Sequence, residues 1–423
     1  MSKNETFLEN NNSNSRIPKL RFPGFSGEWK EKSLGDVGTF VRGLSYNKSE
    51  VTEDASSVLV VRSNNIIQDG VVDCKNGLQY VNKAPSAEQI LQKGDVVICL
   101  ANGSSNLVGK TASFDGNYEG VATVGAFCGI YRSMSPITKY LVQTSLYKEK
   151  ISLIKQGGNG ALSNLYGKDI LGLCFYFPPT LAEQQKIASY LSELDNLIFA
   201  QDQKADALKE KKKGLMQQLF PQPGETIPRL RFPGFKGEWE FINGNVLFKP
   251  ISNKNHNSDL PILALTQDQG AVPREMINYK VFVSDKSVAG YKVVEVDDFI
   301  ISLRSFQGGI EYSRYKGLCS PAYIVLRKKS KELCSDFYRI YFKSFSYIQE
   351  LNKNLEGIRD GKMISYSQFS EIKLPKPSPA EQQRIAECIS TLEDAIAAEA
   401  DKLEALKNHK KGLMQQLFPQ PTK

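Results

Sequence analysis

The segment KKGLMQQLFPQP occupies Lys212 to Pro223, and the same twelve letters return at Lys410 to Pro421. A longer repeat lies upstream of each copy, where IPKLRFPGFSGEW from Ile17 returns as IPRLRFPGFKGEW from Ile227; we call this segment the leader. Repeats of this length do not arise by chance in a chain of 423 residues. They indicate a tandem duplication, in which one structural unit occurs twice.

The two copies differ in length and in how well they match. The leader repeats at an offset of 210 residues, whereas AEQQKIA from Ala182 returns as AEQQRIA from Ala380, an offset of 198. The second copy is therefore twelve residues shorter in its middle. Similarity is high at the edges of each copy and nearly absent between them. Each copy thus reads as a divergent globular segment followed by a shared helix.

This pattern predicts five segments and an α+β fold. Mixed α/β globular domains would be separated by two long antiparallel helices that form a coiled-coil spacer, with a pseudo-two-fold relation between the copies. The segments are a disordered N-terminus at 1–16, a first globular domain at 17–177, a spacer helix at 178–220, a linker with a second globular domain at 221–377, and a second spacer helix with a tail at 378–423.

Composition narrows the class of protein. The chain is 41% hydrophobic, enough to bury more than one core, and no apolar run approaches 18 residues. We therefore predict neither a membrane span nor a signal peptide. The seven cysteines form no CxxC pair, which favours reduced thiols in a cytoplasmic protein over disulfides or a zinc site. A net charge of +8 permits a polyanionic partner without requiring one.

Both spacer helices carry a start signal and an apolar seam. Thr180 precedes Glu183, and Ser378 precedes Glu381, at the spacing of a capping box. Leucine and isoleucine then recur in an a/d series, which predicts that the helices pair over roughly 60 Å at 1.5 Å per residue. The seam residues are Leu191, Leu194, Ile198, Leu208 and Leu215 in the first helix and Ile389, Leu392, Ile396, Leu406 and Leu413 in the second, interrupted by Gln201, Lys212, Glu399 and Lys410.

The outer faces of the two helices are more alike than a seam requires. Gln217 and Gln218 in the first helix return as Gln415 and Gln416 in the second. The leucines taken alone indicate only structural packing. Identical outward residues predict an outside partner that binds both copies alike, and hence two identical partner subunits.

Each divergent segment contains apolar, β-branched runs that end in polar turn residues. They begin at Val58 and Gly94 in the first copy and at the comparable Leu260 and Asp297 in the second. Arg, Asn and Gln at strand ends suit base edges, because Arg pairs with guanine and Asn or Gln with adenine; ordinary polar turns remain the alternative. The candidate DNA-binding residues are Arg62, Asn64, Asn65, Asn102, Ser104, Asn106, Lys110, Gln267, Gln269, Arg304, Gln307, Arg314, Lys328, Arg359 and Lys362.

A search for catalytic motifs finds none. With His256 and His409 as the two histidines, neither an HExxH motif nor a His–Cys metal cluster is possible. GSSNLVGKT from Gly103 resembles a phosphate loop but has five residues between its outer glycines where the motif has four. GGNG from Gly157 lacks the strand–helix context of a dinucleotide fold. We therefore predict a non-catalytic chain without a cofactor or metal of its own.

At this point the chain resembles the specificity subunit of type I restriction-modification enzymes. The likeness rests on two variable segments followed by FPPTLAEQQKIA and KPSPAEQQRIA, on the long repeated helices and on the LRFPGF leaders. It covers essentially the whole chain from Ile17. The resemblance implies that 17–177 and 221–377 are target-recognition domains, each reading one half of a bipartite sequence in double-stranded DNA.

The resemblance also implies partners. The helices would dock two methyltransferase subunits, and restriction/translocase subunits would join them for cleavage. S-adenosylmethionine, ATP and magnesium would then belong to those partner subunits. Two other classes stay open on the residues alone. A coiled-coil scaffold would ignore duplex DNA, and a stand-alone nuclease or methyltransferase would be active by itself.

Overall fold

The computed structural model divides the chain into two compact units. Unit 1 consists of Met1–Ala200 with Leu403–Lys423, and unit 2 consists of Gln201–Lys402. Each unit therefore contains one globular domain and a part of both long helices. The structure describes residues 8–9, 16–67, 70–156, 164–277, 288–302, 310–353 and 364–419.

Unit 1 combines short strands with short helices, and a long helix follows its last strand. Its strands are β1 (Leu8–Glu9), β2 (Leu20–Arg21), β3 (Lys30–Ser33), β4 (Gly38–Arg42), β5 (Val51–Thr52), β6 (Val58–Val61), β7 (Tyr80–Val81), β8 (Val96–Cys99), β9 (Thr111–Ser113), β10 (Ala122–Val124), β11 (Cys128–Ser133) and β12 (Cys174–Phe177). Its helices are α1 (Leu34–Val37), α2 (Thr138–Leu141), α3 (Ser145–Gln156), α4 (Gly167–Leu171) and the first part of α5 (Leu181–Leu219).

Two four-stranded sheets form the globular part of unit 1. One has the order β10-β6-β7-β5, with β10 parallel to β6, and the other has the antiparallel order β4-β11-β8-β9. Strand β12 pairs with β3 and so leads the chain back to the start of the domain, directly before α5. The predicted disorder of 1–16 is wrong for β1, because its two residues pair antiparallel with the leader strand β2.

Within the described residues, unit 2 repeats this plan with ten strands where unit 1 has twelve. Its strands are β13 (Glu240–Asn243), β14 (Phe248–Ile251), β15 (Leu263–Thr266), β16 (Gly270–Pro273), β17 (Lys292–Val294), β18 (Phe299–Ile301), β19 (Glu311–Tyr312), β20 (Gly317–Cys319), β21 (Ile324–Lys328) and β22 (Lys373–Lys376). Its helices are α6 (Gly244–Leu247), α7 (Ser335–Tyr341), α8 (Phe345–Lys353), α9 (Tyr366–Glu371) and most of α10 (Pro379–Leu417).

The divergent segments share one fold although their sequences do not match. The sheet β14-β21-β18-β19 of unit 2 has the same order as β4-β11-β8-β9 of unit 1, and β22 pairs with β13 as β12 pairs with β3. The runs predicted from Gly94 and Asp297 form β8 and β18, the equivalent inner strands. The predicted mixed α/β character of both segments is confirmed.

The twelve-letter repeat supplies each unit with a piece of its core. In unit 2, Phe220 is fully buried and its ring lies 6.4 Å from that of the leader residue Trp239. In unit 1, Phe418 is buried and its ring lies 6.3 Å from that of Trp29. Burying one phenylalanine is worth about 2 kcal/mol, so the LF pair that ends each helix stabilises the domain on which it packs.

A buried ion pair ties each leader to the start of a long helix. Arg21 Nε donates to Glu183 Oε1 at 2.8 Å in unit 1, and Arg231 Nε donates to Glu381 Oε1 at 2.7 Å in unit 2. The predicted capping boxes are therefore only half formed. Thr180 Oγ1 does accept the Glu183 backbone N–H at 3.3 Å, but a guanidinium attracts the carboxylate more strongly than a backbone N–H does.

The antiparallel pairing of the long helices is confirmed within unit 2. There Gln201 Nε2 donates to the Glu399 carboxylate, while Lys212, farther along α5, pairs with the earlier Glu393 of α10 at 2.7 Å. Unit 1 holds the matching ion pair of Lys410 with Asp195. Among the predicted seam residues, Leu191 and Ile389 are fully buried, Leu413 is buried, and Leu194, Ile198, Leu208, Leu215, Leu392, Ile396 and Leu406 are half-buried.

Candidate nucleic-acid interface

Three loops of unit 1 converge where β6 and β8 end and β11 begins. Asn102 Nδ2 donates to Ser63 Oγ at 2.8 Å, which joins the loop after β8 to the loop after β6. The backbone N–H groups of Leu100 and Ala101 both donate to the Phe127 carbonyl, at 2.8 and 3.2 Å. We call residues 62–64, 102–106 and 127 the polar edge of unit 1.

The structure brings most of the candidates of unit 1 to this edge. Asn64, Ser104 and Asn106 are exposed, and Asn102 is half-buried. Arg62 is half-buried as well, and one of its terminal nitrogens donates to the Gly77 carbonyl at 3.0 Å. Exposed amides and hydroxyls on loops held by a rigid sheet are suited to reading base edges in a groove.

Two candidates of unit 1 occupy other positions. Asn65 is buried, its amide donates to the carbonyls of Asp73 and Asn76, and its Oδ1 accepts the Arg62 backbone N–H. It therefore shapes the loop, and the expectation that it contacts DNA is wrong. Lys110 is half-buried directly before β9. A cation that does lie beside the edge is Lys155, whose Nζ donates to the Ser105 carbonyl at 2.6 Å.

Phe127 was not predicted from the sequence and is the most conspicuous side chain of this edge. The residue is 72% exposed to solvent. GAFCG reads locally as a turn entering an apolar strand, and nothing in that pattern distinguishes an outward ring from a core ring. The strand register places Ala322 at the equivalent position of unit 2, so the two units differ here.

In unit 2 the exposed candidates lie on neighbouring turns. Gln267 and Gln269 are exposed in the turn between β15 and β16, and a bridge from Ala271 to Ser313 places that hairpin beside the exposed Arg314. Gly270, at φ 76°, allows this approach, because a Cβ there would lie 2.4 Å from the Tyr312 carbonyl oxygen. The candidates Arg304, Gln307, Arg359 and Lys362 lie outside the described residues.

Basic residues of β21 are committed to ion pairs. Lys328 Nζ lies 3.1 Å from Asp297 Oδ2 and donates to Ser335 Oγ at 2.7 Å. Arg327 forms two bonds to the carboxylate of the fully buried Asp298, at 2.7 and 2.6 Å, and this carboxylate raises the pKa of the guanidinium. Neither cation is a free phosphate ligand, because its charge is already compensated.

Unit 1 contains the same buried pair. Arg132 of β11 forms two bonds to Asp95, at 2.8 and 2.7 Å. Asp95 also accepts the backbone N–H of Gln92, just as Asp298 accepts that of Glu295. The matching turns fix the start of the inner strand of each sheet. They show that Asp95 and Arg132 are structurally equivalent to Asp298 and Arg327, although the sequences of the two segments do not match.

Searches for other kinds of site give negative results within the described residues. No three His, Cys, Asp or Glu side chains there are grouped so that they could hold a metal ion. In the same part of the chain, every helix is too short or too polar to cross a bilayer.

Comparison with known proteins identifies the family to which both halves of the chain are similar. The sequence profile of the type I restriction modification DNA specificity domain matches residues 26–210 and 240–408, one copy for each half of the chain. The chain belongs to this family. Its two matches cover both globular domains and most of both long helices.

Full-length relatives and solved structures agree with that assignment. The chain is 25% identical to a putative type I restriction enzyme specificity subunit, MjaX, of Methanocaldococcus jannaschii, over 92% of this chain and 93% of the relative. It is 22% identical to the EcoKI specificity subunit of Escherichia coli, over 90% and 84%. The fold matches an S subunit structure from M. genitalium at a TM-score of 0.58 and 16% identity, over 96% of this chain and 100% of that one.

A second structural match comes from work on complex assembly and conformational transition in a type I restriction-modification system. This chain matches it at a TM-score of 0.52 and 16% identity, over 93% of this chain and 98% of the other. At identities this low, the structural matches establish the shared fold alone. The fold therefore extends over both domains and both helices of the specificity chain.

Proposed function

We propose that this specificity chain reads a bipartite sequence in double-stranded DNA, one half with each unit. The observation that carries the proposal is that the two units share a sheet but present different residues at equivalent positions of it. Both units contain the same four-stranded sheet, and the same Asp–Arg pair fixes the start of its inner strand. At equivalent positions, unit 1 presents Phe127 and unit 2 presents Ala322. Equal scaffolds with unequal reading groups suit unequal half-sites.

The long helices are proposed to serve assembly. Their outward residues repeat between copies, which suits two identical methyltransferase subunits, and restriction/translocase subunits would join these for cleavage. S-adenosylmethionine, ATP and magnesium would be bound by the partners. The chain itself contributes recognition and no catalytic group.

The test is methylome sequencing of cells that carry this chain with the methyltransferase subunit of its own system. We expect methylated adenines in a two-part motif with a fixed gap, and no methylation when either gene is deleted. The purified chain, incubated with S-adenosylmethionine and the same DNA, should give no methyl transfer. A continuous motif, or methyl transfer by the chain alone, would contradict the proposal.

A further inference from the structure

Two buried cysteines face each other at the end of the antiparallel sheet of unit 1. In the register of β8 and β11, Cys99 lies directly opposite Cys128. Cys99 is 0% exposed and Cys128 is 1% exposed, and both are free thiols. The recognition proposed above uses neither side chain, so the pairing of two reactive groups calls for a separate explanation.

The backbone bonds of the two cysteines show which kind of strand pair they form. The Cys99 N–H donates to the Lys110 carbonyl at 2.9 Å, and the Cys99 carbonyl accepts from Gly109 at 2.8 Å. The Cys128 N–H donates to the Gly125 carbonyl at 2.8 Å. Both cysteines thus direct their backbone groups away from each other, and in such a pair the Cα atoms lie about 4.5 Å apart. A disulfide spans Cα atoms about 4.4–6.8 Å apart, so the strands already hold the two residues within its reach.

The two thiols contact each other and are not equivalent. Side chains directly opposite in a strand pair project from the same face of the sheet. A hydrogen bond from the Cys128 thiol lowers the pKa of Cys99, and the same bond together with burial raises the pKa of Cys128. The Cys99 thiol in turn donates to the Ala101 carbonyl at 3.6 Å. Cys99 is therefore the better nucleophile of the pair, because the thiolate is the reactive form.

The pair lies at the base of the polar edge of unit 1. Cys99 is the last residue of β8, and Cys128 is the first residue of β11. On the solvent side of the pair, the N–H groups of Leu100 and Ala101 donate to the carbonyl of the exposed Phe127. A covalent bond between the two sulfurs would therefore fasten the loops of the edge at the point where the strand pairing ends.

Unit 2 lacks a thiol pair at the equivalent positions. The register of β18 and β21 places Ser302 and Tyr323 there. The two sheets share their strand order, so the difference lies in the side chains and not in the scaffold. Chemistry at the paired cysteines would act on unit 1 and leave the edge of unit 2 unchanged.

We propose that Cys99 and Cys128 are a modification site, a dithiol that a peroxide converts reversibly into a disulfide that locks the polar edge of unit 1. The Cys99 thiolate attacks one oxygen of hydrogen peroxide, the O–O bond breaks, and a sulfenic acid and one water form. The Cys128 sulfur then attacks the Cys99 sulfur, the S–O bond breaks, and a second water leaves as the S–S bond forms. The two thiols lose two electrons to the peroxide, and their two protons end in the waters. This modification needs neither DNA nor a partner subunit.

Burial decides when this reaction takes place. In the closed fold neither sulfur is reached from solvent, since neither residue is more than 1% exposed. Strand ends open locally more readily than strand centres, and both cysteines end their strands at the edge. The disulfide then prevents the same opening, because an S–S bond of about 2.05 Å holds the strand ends together. A thiol reductant restores the two thiols and the opening.

The experiment treats the folded full chain with hydrogen peroxide until its thiol content no longer changes. Remaining thiols are then blocked in denaturant, and tryptic peptides are mapped by mass spectrometry. Trypsin places the two cysteines on separate peptides, 94–110 and 111–132. We expect these peptides to be joined through Cys99 and Cys128 and to separate after treatment with dithiothreitol. Absence of the joined peptides from the peroxide-treated wild type would overturn the proposal.

Backbone amide exchange tests the lock. In the oxidised protein the amides of Leu100 and Ala101 should exchange with deuterium about tenfold more slowly than in the reduced protein, because the opening that exposes them is prevented. The amides of Phe299 and Ile300, in the equivalent strand of unit 2, should keep their rates. Unchanged exchange at Leu100 and Ala101 in protein with joined peptides would refute the lock.

Two substitutions test the order of attack and the identity of the pair. Cys128→Ser keeps a hydroxyl beside Cys99 and removes the second sulfur, so peroxide should leave a sulfenic acid on Cys99 that dimedone labels. Cys319→Ala, at a buried cysteine of unit 2, should give the joined peptides as the wild type does. Dimedone labelling at other cysteines but not at Cys99 would contradict the order of attack. Should Cys128→Ser not fold, the peptide map and the amide exchange of the wild type decide.

Discussion

At the scale of single residues, Phe127 is the side chain whose position most directly suggests contact with DNA. A large apolar ring that is 72% exposed contributes little to the folding of unit 1. It lies beside the polar loops of residues 62–64 and 102–106, where strands end. An outward phenylalanine among hydrogen-bonding groups matches the apolar contact that recognises the C5-methyl group of thymine in the major groove.

We predict that Phe127→Ala abolishes the contribution of one thymine methyl group to binding. With wild-type protein, replacing the contacted thymine by deoxyuridine should weaken binding by about 0.8 kcal/mol, roughly fourfold, the value of one methyl group. With the variant, thymine and deoxyuridine should bind equally. Titration of the assembled complex with a series of duplexes, each carrying one thymine-to-deoxyuridine replacement, identifies the position.

Met134 provides the matched control. It is 77% exposed and follows the opposite end of β11 from Phe127. Met134→Ala should leave every thymine-to-deoxyuridine difference unchanged. If the Phe127 variant also kept all of them, the ring would not read a methyl group.

The Asp298–Arg327 pair is a residue-scale feature of stability and not of recognition. The Asp298 carboxylate is 1% exposed, so Arg327→Leu would leave a buried charge unpaired. We expect a loss of about 3 kcal/mol in the free energy of unfolding, measured by urea denaturation. Combining it with Asp298→Asn, which removes the charge and keeps an acceptor for the Glu295 N–H, should recover most of the loss.

The Arg327→Leu variant should lose stability without any change in the DNA sequence that is recognised. At a temperature where the Arg327→Leu chain remains folded, the methylated sequence should be unchanged. A changed base in the motif would show that Arg327 contacts DNA despite its ion pair.

At the scale of elements, the long helices carry a polar cluster where the seam is interrupted. Glu399 of α10 is buried and accepts from Gln201, Lys402 and Lys204, and these bonds lower the pKa of its carboxyl to about 2. Burial opposes ionisation of Glu393, but Arg339 and Lys212 outweigh it and its pKa also falls. Both carboxylates are therefore held ionised in the folded state.

This cluster makes the free energy of unfolding depend on pH, so that the helix pair becomes less stable in acid. A carboxyl whose pKa falls from 4.5 to about 2 on folding contributes its full stabilisation above pH 4.5, and that contribution is lost as the pH falls toward 2. We predict that urea denaturation of wild-type protein shows decreasing stability over this window. Glu399→Gln should be less stable than wild type near neutral pH and should lose less on acidification. Asp401→Asn, at an exposed position of the same helix, should follow the wild-type curve.

Element-scale features were the most predictable from the sequence, because they repeat. The seam from Leu191 onward recurs with helical periodicity, and the duplication aligned both helices and both leaders without any knowledge of the fold. The partners of buried charges were not predictable. Glu183 was expected to cap its own helix, yet its partner Arg21 is 162 residues away, and no local spacing encodes that contact.

The candidate site was predictable only as a location. Runs of strand residues that end in Arg, Asn and Ser predicted polar loops at 62–64 and 102–106, and the structure brings these two loops together at one edge. Whether a given polar residue faces outward depends on the loop that it closes, which is why Asn65 proved to be internal. Phe127 was missed for the converse reason, since apolar letters beside a strand predict a core position.

At the scale of the whole molecule, the chain joins two unlike globular domains to two long helices that share their seam pattern and their last eight residues. The seam and the end of each helix pack in the same way in both units. The edges differ because each is proposed to meet a different half-site. Recognition and assembly would then reside in separate parts of the sequence. A change confined to one globular domain should alter one half of the target and nothing else.

The most direct test exchanges residues 240–377 for the corresponding segment of a related specificity chain and sequences the methylome of cells that carry the hybrid. We predict that one half of the methylated motif changes, while the other half and the number of bases between them stay as they are. Both leaders and both long helices are retained in this hybrid, so assembly with the methyltransferase should persist. A hybrid in which both halves changed together, or in which the gap changed, would contradict the account of two independent readers on a fixed helical spacer.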